Sequence, residues 1–310
     1  MPQTQPFHSG ELLVQKRSGD LALGRHNGQV IQDSILHGAL GFIAQQSFAV
    51  LGSLDPEGRV WASILLGQPG FIRPIDSHTV EIDLPQAVLG SQDPLGPQLD
   101  DHPDVGMLLI ELERRRRWRL NGRLHRQPNG RLRLEVRESY PNCPKYIQRR
   151  FIETPESSDR GTPSVSEDAR QGTVLTEAQR DFITKADTFF VASAHPDRGV
   201  DASHRGGAPG FVQVFDDGTL RIPDFAGNGM YNTLGNFAVY PRAGLVFLDF
   251  ESGRTLQLTG SARIRWDLDD PEGATGGTRR FWDFQVEGWV EHTPDRSVRW
   301  TFSDFSPYNP

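Results

Sequence analysis

The sequence predicts a mainly β chain: two tandem β-barrel domains with short helices, packed on each other as an intrachain pseudo-dimer. Three observations carry this. The first is an internal repeat. Residues 62–71 read ASILLGQPGF and residues 202–211 read ASHRGGAPGF, sharing A-S-x-x-x-G-x-P-G-F at an offset of 140. The same offset aligns Asp76 with Asp216, Thr79 with Thr219 and Ile82 with Ile222. It then drifts to 138, pairing His102-Pro103 with Tyr240-Pro241, Gly106 with Gly244 and Asn121-Gly122 with Thr259-Gly260. A slowly drifting offset means two domains with small loop indels, and the period is too long for a solenoid of roughly 20–50-residue units. The second observation is a series of short apolar runs bounded by turn signals. The third is the abundance of glycine (32) and proline (22), which punctuates many short elements rather than long helices.

Each copy reads alike. In the second, Thr176 with the acid after it starts a helix. A strand over 189–193, a turn at 196–199 and a second strand follow. A third strand over 211–215 is closed by Asp216-Asp217-Gly218, with a fourth over 219–222. A short helix over 230–239 ends at Tyr240, because the residue before a proline is pushed out of the helical region. The apolar run 244–248 then pairs through Glu251-Ser252-Gly253 with 255–260. In the first copy, strand 48–53 and turn 55–58 correspond. About six strands and two short helices per copy fit a small closed barrel. Residues 153–173 are rich in Ser, Pro, Glu and Gly and read as a linker. The domains expected are 1–152, ending in a helix over 143–151, and 174–310. Two homologous domains in one chain are expected to pack about a pseudo-two-fold axis, leaving room for a homodimer of whole chains as well.

A net charge of −7 speaks against a nucleic-acid partner. A single cysteine allows no intrachain disulfide, the first twenty residues hold no apolar h-region, and no 18-residue apolar run occurs. A soluble cytoplasmic protein without a membrane partner is the expectation. The run Arg114 to Arg119 falls at a hairpin, where a solvated strand paired with Glu111, Glu113, Glu135 and Glu138 is expected. Cys143 has no second cysteine to resolve it and is read as a small packing residue. The nine histidines form no metal-binding spacing. Trp282 and Trp289 are read as core or edge packing.

The second copy carries DASHRGGAPGFV over 201–212, DDGTLRIPDFAGN over 216–228, TLGN over 233–236 and YPRAGLVFL over 240–248. This resembles the flavin-nucleotide-binding proteins related to pyridoxine 5′-phosphate oxidase, with their D-x-S-x-[K/R]-G-x-x-P-G-F, L-x-I-P-D-x-x-G-N, T-L-x-N and P-x-x-G-L-x-F. The resemblance implies split β-barrels and flavin mononucleotide (FMN) at the interface between them. Residue chemistry asks for the same thing, since a flavin phosphate needs a cationic fork, hydroxyl donors and open backbone. Ser203, His204 and Arg205, followed by Gly206-Gly207, supply a hydroxyl, an optional cation, a fixed cation and open backbone. Arg205, Ser203 and Asn228 are assigned to the phosphate end, and the backbone of Ile222, Pro223 and Asp224 to the ring edge. Thr233 lies along the short helix, and Asn236 is read as structural.

The first copy departs from this pattern. Leu65 stands in place of Arg205, Ile82-Asp83-Leu84 replaces Ile-Pro-Asp, and no Gly-Asn follows. One FMN per chain is therefore expected, with the first barrel covering the ring through Arg117, Lys145 or Arg149. The functional expectation is an FMN-dependent oxidoreductase whose electron donor comes from elsewhere. The alternatives are a non-catalytic flavin-storage or sensing protein and a related barrel that takes haem, the deazaflavin F420 or nothing. No side chain stands out as catalytic, and no convincing second phosphate site for vitamin B6 chemistry is found.

Overall fold

The computed structural model describes residues 6–83, 93–95, 99, 101–153, 169–293 and 299–310. Three short helices come first: α1 (Ser9–Ser18), α2 (Leu21–Asn27) and α3 (His37–Ala44). The first barrel holds β1 (Phe48–Leu54), β2 (Val60–Leu66), β3 (Ile72–Pro74), β4 (Thr79–Ile82), β5 (Asp104–Glu111), β6 (Arg116–Arg126) and β7 (Leu132–Asn142). β8 (Arg149–Ile152), β9 (Arg170–Gly172) and α4 (Glu177–Lys185) come next. The second barrel holds β10 (Thr188–His195), β11 (Gly199–Gly206), β12 (Gln213–Val214), β13 (Thr219–Pro223), α5 (Asn232–Val239), β14 (Arg242–Leu248), β15 (Thr255–Arg265) and β16 (Phe281–His292). β17 (Trp300–Asp304) closes the chain.

The first sheet runs β2-β1-β5-β6-β7-β4-β3 and the second β11-β10-β14-β15-β16-β13-β12, strand for strand the same order. The sequence pattern explains the pairing. β10 alternates Phe189, Val191 and Ser193 with Phe190, Ala192 and Ala194, and both faces are buried. Phe189 and Val191 join the interior of the second barrel, while Phe190, Ala192 and Ala194 join a third core shared with Val50, Val60, Ala62 and Leu108 of the first. Even the irregularities repeat. Both long hairpins shift register at the matched positions Asn121/Gly122 and Thr259/Gly260. A Cβ on Gly122 would lie 1.9 Å from the Glu135 carbonyl oxygen, and one on Gly260 2.0 Å from that of Gln285.

The seam is a backbone contact. A Cβ on Gly106 would meet the Val200 carbonyl oxygen at 2.5 Å, and one on Gly244 would meet Trp61 Cα at 2.5 Å. These two glycines are repeat partners, so the approach is reciprocal, as a pseudo-two-fold arrangement requires.

Two expectations are corrected. Residues 143–151 do not form a helix. Pro144 lacks an N–H, Tyr146 sits at φ 66°, and Arg149–Ile152 pairs as β8 with β17 instead. Residues 170–172, expected in the linker, form β9 on the edge of β16. The rest of that expected linker, 154–168, and Leu84 lie outside the described residues. The helix start at Thr176 is present as a capping box with Gln179. Trp282 and Trp289 are core residues, as expected. Among the described residues, no helix is long and apolar enough to cross a membrane.

Helix α1 lies on α5 of the second barrel. A Cβ on Gly10 would fall 2.2 Å from the Gly235 carbonyl oxygen, so the two helices touch through glycine. This contact buries Glu11, whose carboxylate accepts from Asn232 Nδ2 and from the His8 N–H. Burial pushes the Glu11 carboxyl from its ordinary 4.5 up to about 8, and neighbouring Asp201 adds to the shift.

Two predictions follow from packing and from this carboxyl. Gly106→Val or Gly244→Val should cost at least about 2 kcal/mol, because the obstructing atoms are backbone and cannot give way. Gly38→Ala in α3, where nothing lies within 4 Å, should be neutral or stabilising. Thermal unfolding compares them, and equal midpoints for all three variants would refute the seam. For Glu11, the folded state holds a proton that the unfolded chain has released, so this residue's contribution falls as pH rises from 4.5 to about 8. Glu11→Gln should therefore gain stability over the parent progressively across that window. Parallel pH profiles of the two proteins would contradict the buried protonated carboxyl.

Candidate functional site

One open cleft lies where the ends of β11 and β13 meet the first barrel. Ser203, His204, Arg205 and Gly206 form one side, and the stretch from Pro223 to Leu234 supplies much of another. Leu108, Arg117, Arg119, Asn142, Cys143 and Tyr146 close it from the first barrel and its tail. The site therefore belongs to the seam rather than to either barrel alone.

The strand period explains why arginines arrive there. Arg117, Arg119 and Asn121 alternate along β6 and all reach toward the second barrel. Arg117 Nη1 lies 3.3 Å from His204 Nδ1 and Nε donates to the Cys143 carbonyl at 2.9 Å. Arg119 donates to Tyr140 Oη (2.7 Å), Asp201 Oδ1 (3.1 Å), Asn232 Oδ1 (3.1 Å) and Ser203 Oγ. Asn121 Nδ2 donates to Asp201 Oδ1 at 2.8 Å. The solvated-strand expectation holds for Arg114 and Arg116, which pair with Glu111, but not for Arg119, which is only 3% exposed. Arg119 was missed, although period two from Arg117 pointed to it.

Arg205 is the least satisfied of these cations. Its Nη1 donates to the His204 carbonyl at 3.2 Å, while its buried Nε has no partner among the described residues. Burial lowers the Arg117 pKa to about 10, and Arg205 and Arg119 deepen the shift. Burial, then Arg117 and Arg205, hold His204 well below the ordinary imidazole value. His204 is thus a neutral ring at physiological pH, which corrects its reading as an optional cation. Its Nε2 is buried and unpartnered.

Of the residues singled out in the sequence, Ser203, His204, Arg205, Pro223, Asp224, Asn228, Thr233 and Arg117 line the cleft. Thr233 Oγ1 donates to Ser203 Oγ at 3.2 Å, and Asn228 Oδ1 accepts from the Met230 N–H. Four residues are placed elsewhere. Ile222 is fully buried in the barrel core and paired with Trp282. Gly207 donates its N–H to the Asp187 carbonyl, and Gly206 lines the cleft instead. Lys145 sends its ammonium over the Tyr308 ring and offers only its carbonyl, to Arg117. Arg149 pairs with Asp304, away from the cleft. The main chain at Asp224 is also committed, its N–H to the Arg280 carbonyl and its own carbonyl to Thr278 Oγ1. A ring edge would therefore meet side chains there rather than free backbone at Asp224. Asn236 is structural, as read, donating to Ser193 Oγ and Asp201 Oδ2.

The first barrel's equivalent position is built differently. The repeat aligns Arg119 with Gln257 and Ser203 with Ser63, and Gln257 Nε2 donates to Ser63 Oγ at 3.0 Å. Ser63 Oγ in turn donates at 2.8 Å to Asp93, the residue aligned with Thr233. Leu65 and Thr255 replace Arg205 and Arg117. Three guanidiniums are lost there and a carboxylate is gained.

No curated protein matches the chain significantly. Among solved structures, HupZ of Group A Streptococcus is 16% identical, with 37% of this chain and 90% of that one covered at a TM-score of 0.30. A FAD-binding protein of Mesorhizobium loti is 11% identical, covering 40% and 98% at 0.29. HutZ, a haem storage protein of Vibrio cholerae, is 10% identical, covering 41% and 94% at 0.25. Residues 175–292 match the profile of the pyridoxamine 5′-phosphate oxidase family. Over those residues, the C-terminal barrel is similar to the pyridoxamine 5′-phosphate oxidase family.

Proposed function

We propose that the cleft between the barrels binds one FMN per chain and that the protein is an FMN-dependent oxidoreductase. The observation that carries this reading is Arg205. Its guanidinium is enclosed, short of partners and set close to a second enclosed guanidinium, Arg117. Such a pair lacks a dianion, and a phosphate monoester supplies one with charge-assisted hydrogen bonds. Ser203 and Asn228 stand at the same end as hydroxyl and amide groups. Leu108, Phe225 and Tyr146 offer apolar surface for a planar ring, with the Tyr146 and Phe225 rings 4.9 Å apart.

Bound flavin would supply hydride or electron transfer, while the chain supplies binding, orientation and field. Neutral His204 can donate or accept a hydrogen bond without adding charge. Arg117 and Arg119 set a positive potential that favours an anionic ligand. The first barrel contributes these two arginines and the covering Tyr146, the part a partner subunit plays in a dimer. Its own equivalent position lacks the three guanidiniums and sets the Asp93 carboxyl against Ser63, which supports one ligand per chain rather than two.

Titration of the purified chain with FMN should saturate at one equivalent and quench flavin fluorescence. Arg205→Ala should weaken affinity by roughly tenfold or more, from the loss of a charge-assisted contact. Unchanged affinity in that variant, or a Soret band in the native protein, would overturn the flavin site. Bleaching of bound flavin by NADH or NADPH, with reoxidation by an added acceptor, tests the oxidoreductase step. A flavin that no reductant bleaches at a useful rate would leave a storage or sensing role.

A further inference from the structure

We propose that the N-terminal α1–α2 hairpin is a positioning element for the cleft loop 228–232, holding it in the conformation that receives the ligand. This rests on the reading of the cleft as an FMN site. Five consecutive loop residues are each met by a different part of the hairpin. Asn27 Nδ2 donates to the Asn228 carbonyl at 2.7 Å. A Cβ on Gly24 would lie 2.7 Å from the Gly229 carbonyl oxygen, so α2 passes directly over that peptide. Gln15 Nε2 donates to the Met230 carbonyl at 3.2 Å. Tyr231 Oη donates to Asp20 Oδ2, and Asn232 Nδ2 to Glu11 Oε1.

The loop needs such support. Gly229 lies at φ 73° and Tyr231 at φ 60°. A left-handed conformation is unfavourable for a residue with a Cβ, so an unsupported chain would leave it. Asn228, Gly229, Tyr231 and Asn232 all line the cleft, so a shift of this loop is a shift of the site.

The contact is largely polar. Helix α1 buries Gly10, Glu11, Val14 and Gln15, of which Val14 joins the core of the second barrel, while Leu12 and Leu13 are exposed (37% and 59%). An apolar stripe covering the barrel would turn those leucines inward. Beside Val14, the side chains Glu11, Gln15, Asp20 and Asn27 meet side chains or backbone carbonyls of the loop.

The test uses the full chain and the double variant Gln15→Ala/Asn27→Ala, with Leu13→Ala on the exposed face as control. Amide hydrogen exchange is followed at 228–232 without ligand, and affinity is measured for FMN and for inorganic phosphate. In the double variant, loop exchange should rise roughly tenfold while β10 and β16 keep their protection, and FMN affinity should fall roughly tenfold. Saturating FMN should restore loop protection, which a general loss of stability would not allow. Loop exchange equal to the parent's overturns the proposal, and so does faster exchange with unchanged affinity for both probes. If the parent itself binds no FMN, the flavin reading fails, and loop exchange with phosphate affinity still decides the positioning role. Should the double variant fail to fold, Asn27→Ala alone carries the same comparison.

Discussion

The close approach of the two barrels at Gly106 and Gly244 governs the rest of the molecule. With backbone against backbone there, β5 lies on β11 and β14 on β2, and the strands beside them follow. β6 then presents Arg117, Arg119 and Asn121 to Ser203, His204 and Asp201 across the seam. The cleft is a consequence of this docking, since neither barrel supplies both its arginines from β6 and its Ser-His-Arg strand. The shared core of Phe190, Ala192, Val50 and Val60 makes the docking favourable through apolar burial, and the glycines make it close.

Buried charge is the second constraint. Arg119 sits among Asp201, Tyr140, Asn232 and Ser203, and removing one member of such a buried pair costs about 3–5 kcal/mol because the other is stranded. The acids around it, Asp201, Glu138 and Glu11, exceed what one guanidinium neutralises. Burial raises Glu11 and Glu138 above the usual carboxylate range, with Asp201 reinforcing the shift in both. Arg198, 3.5 Å from Glu138, opposes the shift there. On the other side of the same strand pair the balance reverses, and Arg117 and Arg205 face the cleft with His204 kept neutral between them. The protein thus separates an acidic cluster under α1, in which burial favours the protonated form of Glu11, from a cleft lined by guanidiniums, with Arg119 between the two.

Duplication followed by divergence accounts for the asymmetry of the two equivalent positions. The scaffold residues are retained in pairs: Gly106 with Gly244, Gly122 with Gly260, Ser63 with Ser203. The charged ones are not, and Gln257, Thr255, Leu65 and Asp93 stand where the second site has Arg119, Arg117, Arg205 and Thr233. Backbone packing fixes the first group in both copies, whereas the guanidiniums of the second group are present in only one.

The sequence alone determined the mainly β class, the two-copy layout and most of one wall of the cleft. It could do so because strand alternation, turn glycines and the Ser-His-Arg and Ile-Pro-Asp runs are local signals. Residues contributed from afar were less legible. Arg117 was picked out, but Arg119 was read with its exposed neighbours, because composition does not say which face of β6 meets another barrel. The helix expected over 143–151 failed because β17, about 150 residues away in the chain, captures its hydrogen bonds. The role of α1 and α2 carried no apolar stripe to read, because beside Val14 their loop contacts run through Glu11, Gln15, Asp20 and Asn27 while Leu12 and Leu13 face outward. Only the tertiary structure decided which backbone groups were already paired, as at Asp224, and which side chains, as at Arg205, were left waiting for a partner.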